Sequence, residues 1–408
     1  GRSFGDGIIS EVAYHIEKLT SNQYPVFRIN GDCFAIILKD YQDEQVSHLF
    51  DDLYKILEPQ CTLSAGTVSL NEYHTVNEDI LIQYAECALD NAKAKGKKCL
   101  QFFEPKHYEK KIFELELIEN MMRSIQNQFQ GFELYYQPQF DSSNFQLYGA
   151  EALVSFVDDS GNRLSPGQFV GILEQNDLMY QVGMWIFKTA LKDCFEWRKI
   201  YPDFHISINM SYSQLEHESI EYDVLEAIKQ SGVPGNAVTI EITESMQLTN
   251  YHYLNKLFTS WKEYGIKLSI DDFGTGYSSL QYLKDMSVDE IKIDRCFIRE
   301  IQNSIYNFRL VSNIMELAET SCIQVCCEGV ETYEELKVIK DFHPKLLQGF
   351  LLSQPCSKEE FENTFIFHKN ILNIEKMNRI LSHMQSVDYM RPNKKNEIAD
   401  MILNAEND

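Results

Sequence analysis

The sequence predicts an α/β protein in two parts, a (β/α)₈ TIM-like barrel over residues 125–368 and, before it, a smaller α/β domain over residues 1–103. Two observations carry the barrel. Apolar, strand-like runs recur at 132–138, 147–153, 204–209, 237–243, 267–271, 289–293, 323–328 and 345–350, and helical patterns separate most of them. Strands alternating with helices argue for a parallel sheet, and eight strands in roughly 240 residues is the size of a closed barrel. A doubly wound open sheet shows the same alternation. What favours the barrel is that nearly every run ends in a polar or ionisable residue: Glu151, Asn209, Glu241, Asp271, Lys292, Glu328 and Gln348. Strand C-termini are where barrel active sites lie.

Composition bounds what such a chain can do. Its 408 residues include 37 basic and 61 acidic ones, a formal net charge of −24, with 44% hydrophobic and 12% aromatic residues. That is ample material for packed cores and far from a disordered composition. The acidic balance opposes binding to a nucleic-acid polymer or an anionic membrane, so a phosphate substrate would need cations as mediators. No apolar run approaches the about 18 residues of a membrane span; the richest stretch, 169–190, is broken by Glu174, Asp177 and Lys188. Ten cysteines without a CxxC pair, Cys326 and Cys327 being adjacent, read as small core residues in a reducing cytoplasm. The chain opens at Gly1 without initiator Met or signal peptide, so we expect a fragment, in one version the cytoplasmic part of a longer, membrane-anchored sensor.

The elements follow in order. Residues 26–29 and 34–38 are apolar runs on either side of Asn30-Gly31, a pair that signals a hairpin because both turn positions need positive φ. Residues 79–95 carry helical periodicity and stop at Gly96, a C-cap signal. Charged residues 104–124 form a connecting helix, with no Pro/Gly-rich linker to loosen it. Beyond the barrel, 369–408 reads as a helical, fraying tail.

The chemistry gathers at the strand ends. In Val238 to Glu244 side chains alternate, so Glu241 and Glu244 cannot both face the mouth while the strand persists, and Glu244 is open to a loop-bracing or helix-capping role. Asp271 and Asp272 precede Gly274-Thr275-Gly276, which alone reads equally well as an ordinary strand-to-helix turn. Lys292 shares its strand face with Asp294, an arrangement that also suits a structural ion pair. Taken together, Glu151, Asn209, Glu241, Asp271, Asp272 and Glu328 collect hard oxygen donors at one barrel end, and so many carboxylates repel without cations. An all-oxygen set points to Mg²⁺ or Mn²⁺ rather than zinc, and carboxylate-bridged ions suit in-line attack of water on a phosphodiester.

The segments YYQPQF, GAEALVSF, ISINMS, EITES, IDDFGTGYSSL, EIKIDRCFI, CEGVET and LQGFLLSQP, in that order, make residues 110–368 resemble an EAL-family cyclic di-GMP phosphodiesterase domain. The resemblance implies that Glu151, Asn209, Glu241 and Asp271 hold metal, that Asp272 bridges toward a second ion, and that Lys292 orients or activates the attacking water. It implies that Glu328 and Gln348 complete the water and metal network and that Glu244 braces the loop 271–279, so that Lys292, Asp272, Glu328 and Glu244 form the catalytic set. Gln137, Gln348 and position 155 become the substrate contacts, and Ser155 stands where the family motif has an Arg for substrate phosphate. Two Mg²⁺ or Mn²⁺ ions, cyclic di-GMP as ligand, linear pGpG as product and a homodimer follow from the same resemblance.

Residues 1–103 are similar to a GGDEF diguanylate cyclase domain through FGDGIISEVAYHIEKL, VFRINGDCFAIIL, CTLSAGTVSL and AECALDNAKAKGKK. Here the signature is degenerate, with Asn30-Gly31-Asp32-Cys33-Phe34 for Gly-Gly-Asp-Glu-Phe. Cys33 takes the place of a metal-binding acid, and a thiol is a poor Mg²⁺ ligand. The expected whole is a phosphodiesterase with a cyclase-like regulatory domain that makes no cyclic di-GMP, GTP remaining a ligand open to it; the alternative is a catalytically silent cyclic di-GMP receptor.

Overall fold

The computed structural model describes residues 2–20, 23–58, 60–73, 76–96, 98–244, 251–275, 288–367 and 382. The expected tail at 369–408, apart from Ser382, and the loop positions Tyr277, Ser278 and Ser279 lie outside the described residues. The chain divides into two compact units between Leu117 and Ile118.

In the first unit, helices Arg2–Leu19 and Asp43–Leu57 bury Val12, Ile16, Leu53 and Leu57 against each other, and Val26, Phe34 and Ile36 of a hairpin pack on that core. The hairpin pairs Val26–Asn30 with Cys33–Ile36, closed by Asn30 opposite Cys33. Its turn falls one residue later than the sequence reading placed it. Asn30 stays in the strand, and Gly31 alone takes a positive φ, +40°, where a side chain would be strained. The Arg28 guanidinium donates to the Gly31 carbonyl at 2.9 and 2.6 Å and holds that turn. The helix expected at 79–95 spans Glu78–Ala94, with the Asn77 side chain accepting from Asp79 N at 3.0 Å as its N-cap. Helix Pro105–Gln126 runs unbroken through the boundary between the units.

The second unit is the barrel. Its strands are β1 (Phe132–Asp141), β2 (Leu147–Val157), β3 (His205–Asn209), β4 (Val238–Thr243), β5 (Lys267–Phe273), β6 (Glu290–Ile293), β7 (Gln324–Cys327) and β8 (Leu346–Leu347). They pair in that order and β1 closes the ring by pairing with both β2 and β8. β2 to β8 run parallel, as expected, but β1 is antiparallel to both neighbours. The link 142–146 is too short for a crossover, which needs a dozen or more residues, so a hairpin is the only connection available.

Alternation along β1 sorts its side chains. Tyr136 points outward and its hydroxyl donates to Asp193 at 2.7 Å on helix Met179–Arg198, while Gln137 and Gln139 point inward. Register then lays the inward residues of adjacent strands side by side: Gln137 opposite Glu151, Asn209 beside Glu241, Lys292 beside Cys326. One irregularity matters. The β5–β6 register shifts between Ile270 and Phe273, where Asp272 adopts φ +53°. A kink of this kind lets consecutive residues reach one side of a sheet, which strict alternation forbids. Cys326 and Cys327 are both fully buried and all ten cysteines are free thiols. Among the described residues no helix is long and apolar enough to cross a membrane.

Candidate metal centre

Lys292 on β6 is the hub of the barrel mouth, with 0% of its surface exposed. Its Nζ lies 3.0 Å from Glu151 Oε2, 2.7 Å from Glu241 Oε2, 2.7 Å from Glu328 Oε1 and 3.4 Å from Asp271 Oδ1. Burial opposes the lysine's charge, yet Asp271, Glu151, Glu241 and Glu328 outweigh it and hold its pKa well above the ordinary value. One ammonium cannot neutralise so many carboxylates. Burial, with Glu151 and Asp271 adding to it, pushes the Glu241 carboxyl well up, and burial lifts Glu328 to about 8 against the pull of Lys292. Glu151 goes the other way: burial raises it, but Lys292, Gln348 and Asn209 hold it below its usual range.

The remaining donors are aimed at Glu151. Asn209 Nδ2 donates to its Oε1 at 2.7 Å and Gln348 Nε2 to its Oε2 at 2.7 Å. Gln348 Nε2 also donates to Gln137 Oε1 at 3.0 Å, and Gln137 Nε2 to the Ser353 carbonyl at 3.2 Å. By contrast Glu241 Oε1 is buried with no hydrogen-bond partner. An orphaned carboxylate oxygen costs about 1–3 kcal/mol unless something takes it up.

Two groups of carboxylates that could hold metal follow from these positions. Oxygens of Glu151, Glu241 and Asp271 lie within 4.8 Å of one another, as do those of Asp271, Asp272 and Glu328. The shared Asp271 and the kink at Asp272 produce this pair of overlapping triads. Asp272 is lifted to about 6 by burial, by Asp271 and by Asp294. The donor set is all oxygen and hard, the orphaned Glu241 Oε1 belongs to it, and both facts fit a pair of Mg²⁺ or Mn²⁺ ions.

The other predicted residues fall as follows. Glu244 lies just past the end of β4 and its Oε2 accepts from Gly274 N at 2.6 Å, while its own N–H donates to the Asp271 carbonyl at 3.0 Å. It ties β4 to the turn after β5. Gly274 holds φ +99°, and Thr275 Oγ1 donates to the Asp272 carbonyl at 2.8 Å. Ser155 lies near the end of β2. Its side chain is 7% exposed and its hydroxyl donates to the Leu164 carbonyl at 3.3 Å, because β2 continues to Val157 and pairs with Arg163–Leu164 beyond the barrel. Asp294 caps helix Arg295–Ile298, accepting from Cys296 N at 2.9 Å. Gln139, absent from the predicted set, is 1% exposed and donates to Gln348 Oε1 at 3.1 Å. Its signal was available in the alternation of YYQPQF, which puts it on the same face as Gln137.

Residues 119–355 match the EAL domain family. The chain belongs to that family. Residues 1–99 match the family described as diguanylate cyclase, GGDEF domain, so a GGDEF domain precedes the EAL domain. Among curated proteins the chain is similar to signaling protein YkoW of Bacillus subtilis, 29% identical over 376 residues that make up 90% of this chain and 47% of that one. It is equally similar to cyclic di-GMP phosphodiesterase NbdA of Pseudomonas aeruginosa, 29% identical over 382 residues, 90% of this chain and 48% of that protein. The chain thus spans about half the length of the curated relatives it matches. Among solved structures, the PaMucR phosphodiesterase in its c-di-GMP complex is 31% identical, with a TM-score of 0.56 over 59% of this chain and 97% of that one. The EAL enzyme Bd1971 in its cAMP and cyclic-di-GMP bound form is 25% identical, with a TM-score of 0.60 over 81% of this chain and 80% of that one.

Proposed function

We propose that this chain is a metal-dependent phosphodiesterase that opens cyclic di-GMP to linear pGpG, and that its GGDEF domain makes no cyclic di-GMP. The observation that carries the reading is the buried ammonium of Lys292 clamped among Glu151, Glu241, Asp271 and Glu328, beside a Glu241 oxygen with no hydrogen-bond partner. Relatives and structural neighbours named for cyclic di-GMP hydrolysis or binding supply the substrate class. Glu151, Asn209 through its carbonyl oxygen, Glu241, Asp271, Asp272 and Glu328 would hold the two cations. Bound there, the ions would polarise the phosphodiester and make water a competent nucleophile at neutral pH. Lys292, protonated, donates from Nζ to orient that water and meet charge developing on phosphate. In the metal-free chain Asp271, Glu151, Glu241 and Glu328 hold its ammonium charged. Glu328, 2.7 Å from Lys292 Nζ, completes the carboxylate set around the ammonium. Gln137 and Gln348 line the same mouth and meet the dinucleotide. Glu244 keeps the turn after β5 in place for Asp271 and Asp272.

The domain limits we assign are 1–103 for the GGDEF domain, 104–124 for the connecting helix, 125–368 for the phosphodiesterase barrel and 369–408 for the tail. The test is incubation of the whole chain with cyclic di-GMP and Mg²⁺ or Mn²⁺, followed by chromatography for pGpG. Turnover should appear with either ion and be suppressed by Ca²⁺, which is larger and takes more ligands at longer distances. A metal-loaded chain that binds the dinucleotide and leaves it whole would make the protein a receptor instead.

A further inference from the structure

Gln139 stands outside every role assigned above, yet it is among the most buried polar residues of the barrel, at 1% exposure. Its Nε2 donates to Gln348 Oε1 at 3.1 Å. Gln348 is itself 3% exposed, and its Nε2 serves Gln137 Oε1 at 3.0 Å and Glu151 Oε2 at 2.7 Å. The Ser353 carbonyl, an obligate acceptor, fixes the Gln137 amide by taking its Nε2 at 3.2 Å. The chain of amides therefore has one self-consistent orientation, running from Ser353 through Gln137 to Gln348, in which the buried Gln348 oxygen needs a donor. Gln139 is that donor.

We infer that Gln139 is a positioning residue of the metal centre: by satisfying Gln348 Oε1 it holds the Gln348 amide nitrogen on the ligand carboxylate of Glu151. Without it, Gln348 Oε1 would be a buried acceptor without a donor, and the side chain would gain by turning toward water and leaving Glu151. Glu151 Oε2 would then keep Lys292 as its donor at 3.0 Å and lose the shorter bond at 2.7 Å. Groups that orient a ligating carboxylate in this way typically change metal affinity by about 10–100-fold when removed. A residue acting through one of them should reach the lower end of that range. Nothing here needs a bound ion to be seen, since every contact lies within the protein. The assignment rests on Glu151 being a metal ligand, as proposed above.

The experiment is a double-mutant cycle on the whole chain with Mn²⁺ as probe, reading its dissociation constant from free-Mn²⁺ EPR in the absence of substrate. Gln139→Leu should weaken Mn²⁺ about tenfold in the parent and by less than about twofold in a Gln348→Leu background, because the second change removes what the first acts on. Gln139→Met, unbranched and without a donor, repeats the measurement should leucine disturb the packing. Equal weakening in both backgrounds would reduce Gln139 to a packing residue and overturn the inference, as would no weakening in the parent. Hydrolysis of cyclic di-GMP by the parent is scored separately. Coupling without hydrolysis overturns the phosphodiesterase reading and leaves the positioning role standing, hydrolysis without coupling does the reverse, and a parent that binds no Mn²⁺ overturns both.

Discussion

The signature hairpin of the GGDEF domain and the mouth of the EAL barrel both present carboxylates, one on the turn Gly31–Asp32 and several at strand ends, and they treat them in opposite ways. In the hairpin, strand Val26–Asn30 is largely exposed, Phe27 and Ile29 stand 49% and 51% open, and Asp32 sits on an exposed turn. In the barrel, β6 is buried along its whole length, and Lys292 and Glu241 have no exposed surface. A solvated carboxylate costs the fold nothing and does little chemistry. A buried one must be paired, protonated or metal-bound, so its presence has to be compensated by neighbours placed for that purpose. The difference teaches where to look for function: the acids that the fold strains to keep are those of the barrel.

The strongest way to break this contrast is at Lys292. Replacing it by methionine keeps the volume of the side chain and leaves Glu151, Glu241, Asp271 and Glu328 facing one another in the interior. Removing one partner of a buried ion pair costs about 3–5 kcal/mol, and here several partners are orphaned together. Lys292→Met should lower metal-free stability by about that amount, recover part of it on addition of Mg²⁺, and lose turnover by orders of magnitude. Urea unfolding with and without Mg²⁺, alongside a pGpG assay, reads all of these. A variant as stable as the parent without metal would show that the mouth carries no electrostatic strain.

Much of this was legible beforehand, and what was not has identifiable physical causes. The eight strand runs emerged from alternation and apolar content, and their polar ends marked the mouth because a barrel places strand termini there. Alternation also separated Glu244 from Glu241. Strand direction is different: β1 reads like its parallel neighbours, and only the length of the link 142–146 betrays the reversal. The kink at Asp272 left no mark, since a positive φ at a non-glycine residue is imposed by the surrounding fold. The bond from the Ser155 hydroxyl to the Leu164 carbonyl left no mark either, because β2 continues past the barrel to meet Arg163–Leu164, a pairing that parity alone cannot foresee. Gln139 is hidden for a simpler reason: the apolar run ends at Pro138, and this inward residue lies one step beyond it.

A second and smaller effect sharpens the contrast at the opposite end of the barrel strands. His205 opens β3, its ring stacks on Tyr148 with centroids 4.2 Å apart, and its Nδ1 is buried without a partner. Burial, reinforced by Lys267, pushes its pKa down to about 4 from an ordinary 6.5. The folded chain therefore refuses a proton that the unfolded chain accepts in that interval. The His205 contribution is complete above pH 6.5 and is lost as pH falls toward 4, a share of about 3 kcal/mol. Unfolding midpoints of the parent and of His205→Phe across this range isolate the contribution, and the variant should show the shallower fall. Parallel curves would mean that His205 protonates freely in the fold.

The smallest expected effect is at the hairpin, and it tests the other half of the comparison. Cys33 is only partly buried and opens the second strand, opposite Asn30. Its thiol is a poor partner for Mg²⁺, and the one carboxylate in the signature, Asp32, is exposed on the turn. Cys33→Ala should therefore change stability by less than about 0.5 kcal/mol, the usual range for positions outside a packed core. Hydrolysis of cyclic di-GMP should stay within about twofold of the parent, and GTP with Mg²⁺ should yield no cyclic di-GMP from either chain. Calorimetry and a nucleotide chromatogram decide it. Cyclic di-GMP formed from GTP by the parent would show that the hairpin holds metal after all, and its exposed acid would then have to be counted with those of the barrel. A tenfold change in hydrolysis from so peripheral a thiol would instead reveal energetic coupling between the two domains, at about 1.4 kcal/mol per decade.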